Sequence, residues 1–282
     1  MESPRKILKK YQIRPVRNLG QSFLVDNNIT SRIVEASKVA EGDTVVEIGA
    51  GLGAMTAMIA TRVKRVIAIE IDPKLVKVLE SELAGMSNIE IIERDVLRYD
   101  FSSPLTGSGR VQVVGNIPYN VSSQIIFRLL EFRKHISTAT LMLQREVADR
   151  ITAPPGTKAY GILSVILSMY AKVRHVMTVS ATCFYPVPKV DSAVLRLGMR
   201  EEPLCQMGND IIFIETVKAA FAMRRKTLAN NLKGMPRLCG RGVDPLSLLR
   251  EAGIDGGRRG ETLSVEEFAK LSEIIFRATE SL

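Results

Sequence analysis

Between Asp43 and Gln144, apolar residues fall in short β-branched runs that alternate with segments of helical period. Thr44–Ile48, Arg65–Ile71, Ile89–Glu93, Val111–Val114 and Thr138–Gln144 are the predicted strands. Ala54–Thr61, Pro73–Leu83 and Ser122–Phe132 are the predicted helices, the second opened by Asp72 and by a proline in its first turn. Such alternation calls for a parallel sheet with helices on both faces, because a parallel crossover needs a connection of helix length. Val173–Ser180 and Ser192–Leu197 read as closing strands, with an antiparallel arrangement open. Ala153–Thr157 is a turn-rich loop. At Glu201-Glu202-Pro203 the pattern breaks, and beyond it the period is helical over Ile211–Leu232, Pro245–Ala252 and Val265–Ala278. The expected organisation is an α/β domain over residues 1–200, with a basic N-terminal arm, and a small all-helical domain over 201–282.

Candidate chemistry sits at the ends of the predicted strands. Val45-Val46-Glu47-Ile48-Gly49-Ala50-Gly51-Leu52-Gly53 joins the first strand to its helix, and its glycines permit positive φ and close ligand approach. Glu70 ends the second strand, where a carboxylate reaches ribose hydroxyls. These two features also fit a nicotinamide dinucleotide, since Gly49-x-Gly51-x-x-Ala54 satisfies that fingerprint. Three further residues favour S-adenosylmethionine: Glu47 before the glycines, Asp95 after the third strand to accept from an adenine amine, and Asn116 after the fourth. Asn116-Ile117-Pro118-Tyr119 offers a side-chain amide, a backbone carbonyl held by a proline and an aromatic face. The Asn116 amide oxygen and the carbonyl of Ile117 or Pro118 suit the two hydrogens of an exocyclic amine, with Tyr119 stacked on the base.

Charge adds a polyanionic partner. The 282 residues are 46% apolar and carry a net charge of +9. Arg5, Lys6, Lys9, Lys10, Arg14 and Arg17 crowd the start of the chain against Glu2 alone, and Thr216–Val243 holds seven Lys or Arg and no acid. Paired basic clusters of this kind are expected at a nucleic-acid surface. Cys183, Cys205 and Cys239 are widely spaced, and His135 and His175 are isolated, so neither disulfides nor a metal site is expected. No run approaches the ~20 apolar residues of a membrane span. A basic start without an apolar core is no secretory signal. A cytoplasmic monomer is the expectation.

Four longer motifs then carry a resemblance. Gly20-Gln21-Ser22-Phe23-Leu24, Asn116-Ile117-Pro118-Tyr119-Asn120-Val121-Ser122, Lys158-Ala159-Tyr160-Gly161-Ile162-Leu163-Ser164-Val165 and Phe184-Tyr185-Pro186-Val187-Pro188-Lys189-Val190-Asp191-Ser192-Ala193 resemble the KsgA family of small-subunit (16S) rRNA adenine N6,N6-dimethyltransferases. The resemblance runs from about Gly20 to Leu197 and resumes at Phe221–Leu232 and Gly260–Phe268. It implies a class I, Rossmann-like methyltransferase domain that binds S-adenosyl-L-methionine through Ser22, Leu24, Gly49, Glu70, Asp95 and Asn116. Glu47 and Gly51 join this set from their place in the loop. Ser22 departs from the family, where asparagine is common. Asn116, Pro118 and Tyr119 take catalytic places, and Phe184 is expected on the face of the base opposite Tyr119. Phe221–Leu232 resembles a basic helix, so Arg224, Arg225 and Lys226 are the expected RNA contacts.

The implied reaction is direct methyl transfer to N6 of two adjacent adenosines in a hairpin loop near the 3′ end of small-subunit rRNA. The implied partner is that RNA within immature small ribosomal subunits. Two alternatives stay open: an Erm-type enzyme acting on large-subunit rRNA, and an assembly factor in which binding matters more than catalysis.

Overall fold

The computed structural model describes residues 2–105, 109–240 and 242–280. Arg241, one of the bases of the second cluster, lies outside them, as does the side chain of Arg17. Contacts divide the chain into two compact units, Met1–Ala148 with Lys172–Glu201, and Asp149–Ala171 with Glu202–Leu282. The later division falls at Glu201/Glu202, beside the expected 200/201, and the segment Asp149–Ala171 groups with the later helices.

The first unit opens with helix α1 (Pro4–Lys10), the two-residue strand β1 (Phe23–Leu24) and helix α2 (Asn27–Ser37). β2 (Thr44–Ile48), α3 (Ala54–Ala60), β3 (Arg65–Glu70), α4 (Pro73–Glu82), β4 (Ile89–Glu93), β5 (Val111–Asn116), α5 (Ser122–Glu131) and β6 (Ile136–Gln144) follow. After α6 (Arg145–Thr152) and α7 (Ile162–Tyr170) come β7 (Ala171–Val179), β8 (Phe184–Tyr185) and β9 (Ser192–Met199). The seven-stranded sheet has the order β4-β3-β2-β5-β6-β9-β7. β2, β3, β4, β5 and β6 pair in parallel, and β9 lies antiparallel on β6, from Thr138↔Gly198 to Gln144↔Ser192.

The central strands read as unbroken apolar runs because both faces are covered: Val45, Val46, Val66, Val113 and Val114 have no exposed surface. Local signals end the helices where expected. Asp72 caps α4 by accepting the Lys74 N–H at 3.0 Å, and Pro73 has no N–H to leave unsatisfied at the first turn. Helix α1 escapes the sequence reading. Its seven residues bury Ile7 and Leu8 against Phe23, Leu52, Leu75 and Val78, while Lys10 reaches Glu82 at 2.7 Å.

The second unit is helical: α6 residues from Asp149, α7, α8 (Asp210–Ala220), α9 (Leu228–Leu232), α10 (Pro245–Ala252) and α11 (Val265–Glu280). Tyr160 is its aromatic anchor, with its hydroxyl donating to Leu263 O at 3.0 Å and its ring 6.1 Å from Phe221, which stacks 5.9 Å from Phe268. The single helix predicted over Ile211–Leu232 is instead two helices separated by a turn. Asn231 causes the break. Its amide donates to Ala220 O (2.8 Å) and Met223 O (3.1 Å) and accepts the Met223 N–H (3.2 Å), substituting for the helical ladder. Thr227 then caps α9 by accepting the Asn230 N–H. No helix among the described residues is long and apolar enough to cross a membrane.

Candidate active site

The strand order reverses direction between β2 and β5, and a crevice at such a switch point is where open α/β sheets receive ligands. A cavity of about 240 Å³ lies there. Its wall takes Glu47, Gly49 and Gly51 from the end of β2, Glu70 from β3, Asp95 from the loop after β4, and Asn116, Pro118 and Tyr119 from β5 and its turn. Ser22 and Leu24 complete it from β1 and the residue before. Parallel register explains the convergence: Glu47 pairs with Val114 and Ile48 with Gly115, so both strands finish at one level.

The β2 loop is held by its own neighbours. Gly49 has φ +70°, and a Cβ there would stand 3.3 Å from the Asn116 carbonyl oxygen. Gly51, at φ +59°, donates its N–H to Glu70 Oε2 at 2.9 Å. Glu70 Oε1 accepts the N–H groups of Ile71 (2.8 Å) and Asp72 (3.0 Å). Burial pushes the Glu70 carboxyl up and these three N–H groups draw it back. Asp95 Oδ1 accepts the Leu97 N–H at 2.9 Å, closing a 3-10 turn over Val96–Arg98.

Glu47 is different. It is 2% exposed, and its Oε2 has no hydrogen-bond partner. Burial pushes its carboxyl up to about 8, and the Glu70 charge adds to the shift. The Thr56 hydroxyl nearby offsets part of it, yet neither that hydroxyl nor Oε2 completes a hydrogen bond.

Around Asn116, most polar groups are engaged. Its Nδ2 donates to Ser22 O at 3.1 Å, which fixes the amide plane. The Ile117 N–H donates to Met142 O at 3.0 Å, and Pro118 O accepts the Val121 N–H at 3.2 Å. Asn116 Oδ1 and the Ile117 carbonyl have no donor among the described residues. Tyr119 is half-buried, its hydroxyl 2.6 Å from Ser192 Oγ. Burial raises the Tyr119 phenol, the Ser192 hydrogen bond lowers it, and the Asp191 charge raises it again.

Two expectations meet a different geometry. Ser22 lines the cavity, but its hydroxyl donates to Pro186 O at 2.8 Å, so its one proton is engaged within the protein. Phe184 is not on the cavity wall. Its backbone pairs with Leu24 in the β1–β8 ladder, and its ring, 1% exposed, packs with Ile33, Val34, Val179 and Val194. A ring so enclosed offers no face to a base. The strand partner of Phe184, Leu24, lines the cavity.

The three basic candidates lie in the second unit, in the turn Phe221–Thr227 rather than in a helix. Arg224 donates to the carbonyls of Lys158 and Tyr160, the latter at 3.1 Å, and stands 3.7 Å from Glu261. Arg225 and Lys226 are exposed, with no side-chain partner among the described residues. Pro4, which also lines the cavity, was missed by sequence reasoning. The signal existed in Ile7 and Leu8 set among lysines behind a Ser3-Pro4 helix start, but seven residues are too few to read with force.

Residues 14–276 match the family described as ribosomal RNA adenine dimethylase. The chain is 47% identical to the ribosomal RNA small subunit methyltransferase A of Syntrophus aciditrophicus, over 95% of this chain and 96% of that one. It is 43% identical to the protein of that name from Bacillus thuringiensis, over 96% and 94%. Among solved structures it is similar to a dimethyladenosine transferase from Plasmodium falciparum, with a TM-score of 0.74 at 26% identity, covering 87% of this chain and 94% of that chain. It is also similar to the 23S rRNA methyltransferase ErmE, with a TM-score of 0.67 at 30% identity over 90% and 99%. With a class I methyltransferase sheet, a helical second unit and these relatives, the chain belongs to the ribosomal RNA adenine dimethylase family.

Proposed function

We propose that this enzyme transfers methyl groups from S-adenosyl-L-methionine to N6 of two adjacent adenosines in the 3′-terminal hairpin loop of small-subunit rRNA. The observation that carries this reading is the pair of acceptors without a donor among the described residues, Asn116 Oδ1 and the Ile117 carbonyl, on a turn where most other polar groups are engaged.

The cavity suits the cofactor's chemistry. Glu47, Glu70 and Asp95 face it against Arg94 alone, so it favours a cation over the pyrophosphate of a nicotinamide dinucleotide. Glu70 and Asp95 would take the ribose hydroxyls and the adenine amine, Gly49 and Gly51 would let the ligand approach the backbone, and the orphaned Glu47 Oε2 would face positive charge. When bound, the cofactor supplies a methyl group on a cationic sulfonium that departs as a neutral thioether.

Asn116 Oδ1 and Ile117 O would accept the two N6 hydrogens, turning the nitrogen lone pair out of conjugation with the ring and toward the methyl carbon. Tyr119 would stack on the base and recover ~1–3 kcal/mol of the cost of unstacking it. As the N–C bond forms, N6 becomes positive. Its proton is held at the same two acceptors until water takes it. Catalysis here is positioning and preorganised dipoles. A second transfer to each base requires the turn to accept an amine already carrying one methyl.

Small-subunit RNA is favoured over large-subunit RNA by the names of the 43–47% identical relatives, against 30% for ErmE. Exposed, unpaired Arg225 and Lys226 support docking on a phosphate-rich particle, and with it a linked role in subunit biogenesis. The test is to incubate the protein with S-adenosylmethionine and unmethylated small subunits and measure N6,N6-dimethyladenosine by mass spectrometry. Asn116→Ala should cut the rate on the order of 10²–10³-fold while subunit binding persists. Product appearing only in large-subunit RNA would overturn the reading.

A further inference from the structure

We propose that Ser192 is a positioning residue that fixes the direction of the Tyr119 ring axis. This rests on the reading above, in which that ring stacks on the target base. Ser192 has no exposed surface and sits 2.6 Å by its Oγ from the Tyr119 hydroxyl, 73 residues away in sequence. β9 runs antiparallel to β6, so its first residue, not its last, arrives at the edge where Asn116 and Tyr119 stand.

The residue is itself immobilised. Asp191, just before it, accepts the Arg145 N–H at its carbonyl and the Ala181 N–H at Oδ1, both at 3.0 Å. Ser192 pairs with Gln144 at the end of the β6 ladder. On the other side, the Tyr119 carbonyl accepts the Ser122 hydroxyl at 3.3 Å. The tyrosine is therefore tied at its backbone and at the far tip of its ring. The hydroxyl lies on the χ2 axis, so this bond holds the direction of the ring axis against swings about χ1, which a tyrosine held only at its backbone is free to make. The axis matters because a stacked base follows the ring as its tip moves, and N6 must meet both Asn116 Oδ1 and Ile117 O to react. Ser192 has a volume and hydroxyl that a hydrophobic core does not need. Its neighbours on β9, Ala193, Val194 and Leu195, are equally buried and apolar.

The consequence is sharpest for the second transfer, when a methyl group occupies one amine position and less hydrogen bonding holds the nitrogen in place. Single-turnover rates of the first and second transfers are to be measured on unmethylated small subunits for the wild type, Ser192→Ala, Tyr119→Phe, the double variant and Ser192→Thr. Ser192→Ala and Tyr119→Phe should each slow the second transfer about tenfold and the first less, so that monomethyladenosine accumulates. The double variant should be no slower than the worse single one, because both remove the same bond. Ser192→Thr should recover most of the rate, and the KM for subunits should change less than kcat.

Tyr119→Phe keeps the ring and its half-buried site, so it tests the bond even where Ser192→Ala folds poorly. Multiplicative losses in the double variant, or wild-type product ratios in both single variants, would overturn the proposal. Failure of the underlying reading looks different: Tyr119→Ala would then dimethylate at the wild-type rate.

Discussion

The turn after β5 and the turn after α8 are both short, and both carry residues that the sequence singles out, yet the fold treats them oppositely. Around Asn116 nearly every polar group is consumed by the protein: Nδ2 by Ser22, the Ile117 N–H by Met142, Pro118 O by Val121, the Tyr119 hydroxyl by Ser192. What remains is a pair of acceptors on a rigid frame. Of the three bases in the turn Phe221–Thr227 only Arg224 is consumed, while Arg225 and Lys226 are exposed with no side-chain partner among the described residues. Directing a lone pair requires fixed geometry, so free valences must be few and their neighbours immobile. Attracting a polyanion requires only sign and exposure, because the Coulomb term is long-ranged and non-directional.

The frame side of this comparison is most exposed to attack at Glu47. Its carboxyl is ordinary when unfolded and is pushed up to about 8 in the folded protein. Below the unfolded value both states are protonated and nothing is lost. Between about pH 4.5 and 8 the unfolded chain ionises while the folded carboxyl stays protonated, so stability falls across that window by on the order of a few kcal/mol and levels off above it, where both states are ionised. In the cofactor-free protein, Glu47→Gln should match the wild type near pH 4.5, exceed its Tm increasingly up to about pH 8 and keep a constant margin above that. A difference that stays flat between about pH 4.5 and 8 would mean that Glu47 has a compensating partner.

On the other side, Asn231 is a buried side chain that shapes the basic turn. Asn231→Ala should cost about 1–3 kcal/mol in denaturant unfolding by leaving Ala220 O and the Met223 groups unpaired. It should weaken subunit binding without changing cofactor affinity. Smaller still is the effect of the exposed bases. Arg225→Ala should weaken binding several-fold and reduce the salt slope of log K by about 1, the signature of one phosphate contact. Arg224→Ala should instead lower Tm through the lost Lys158 and Tyr160 contacts, separating the brace from its exposed neighbours.

Much of the frame was legible. Thr44–Ile48, Ile89–Glu93 and Pro245–Ala252 have the bounds that periodicity and capping assign them. Where sequence and structure differ, a partner outside the local window decided the outcome. Ile211–Leu232 keeps an apolar helical period with no proline, and the residue that breaks it, Asn231, acts by folding back on Ala220 and Met223. The Phe184 motif pointed to a stacked base, but pairing with Leu24 turns its ring into the core. Ser192 stood in a quoted motif without a role, since nothing local announces a contact with Tyr119.

The sequence by itself determined the alternation of strands and helices, the acids and glycines at successive strand ends, the Asn116–Tyr119 turn and the basic sign of Thr216–Val243. Periodicity, capping and backbone freedom act over a few residues and can be read one window at a time. Only the tertiary structure decided which of those groups remain free: that Asn116 keeps its oxygen and spends its nitrogen, that Glu47 is orphaned, that Phe184 is enclosed and Arg224 occupied. Hydrogen-bond and burial partners lie tens of residues away along the chain, and only folding brings them within reach.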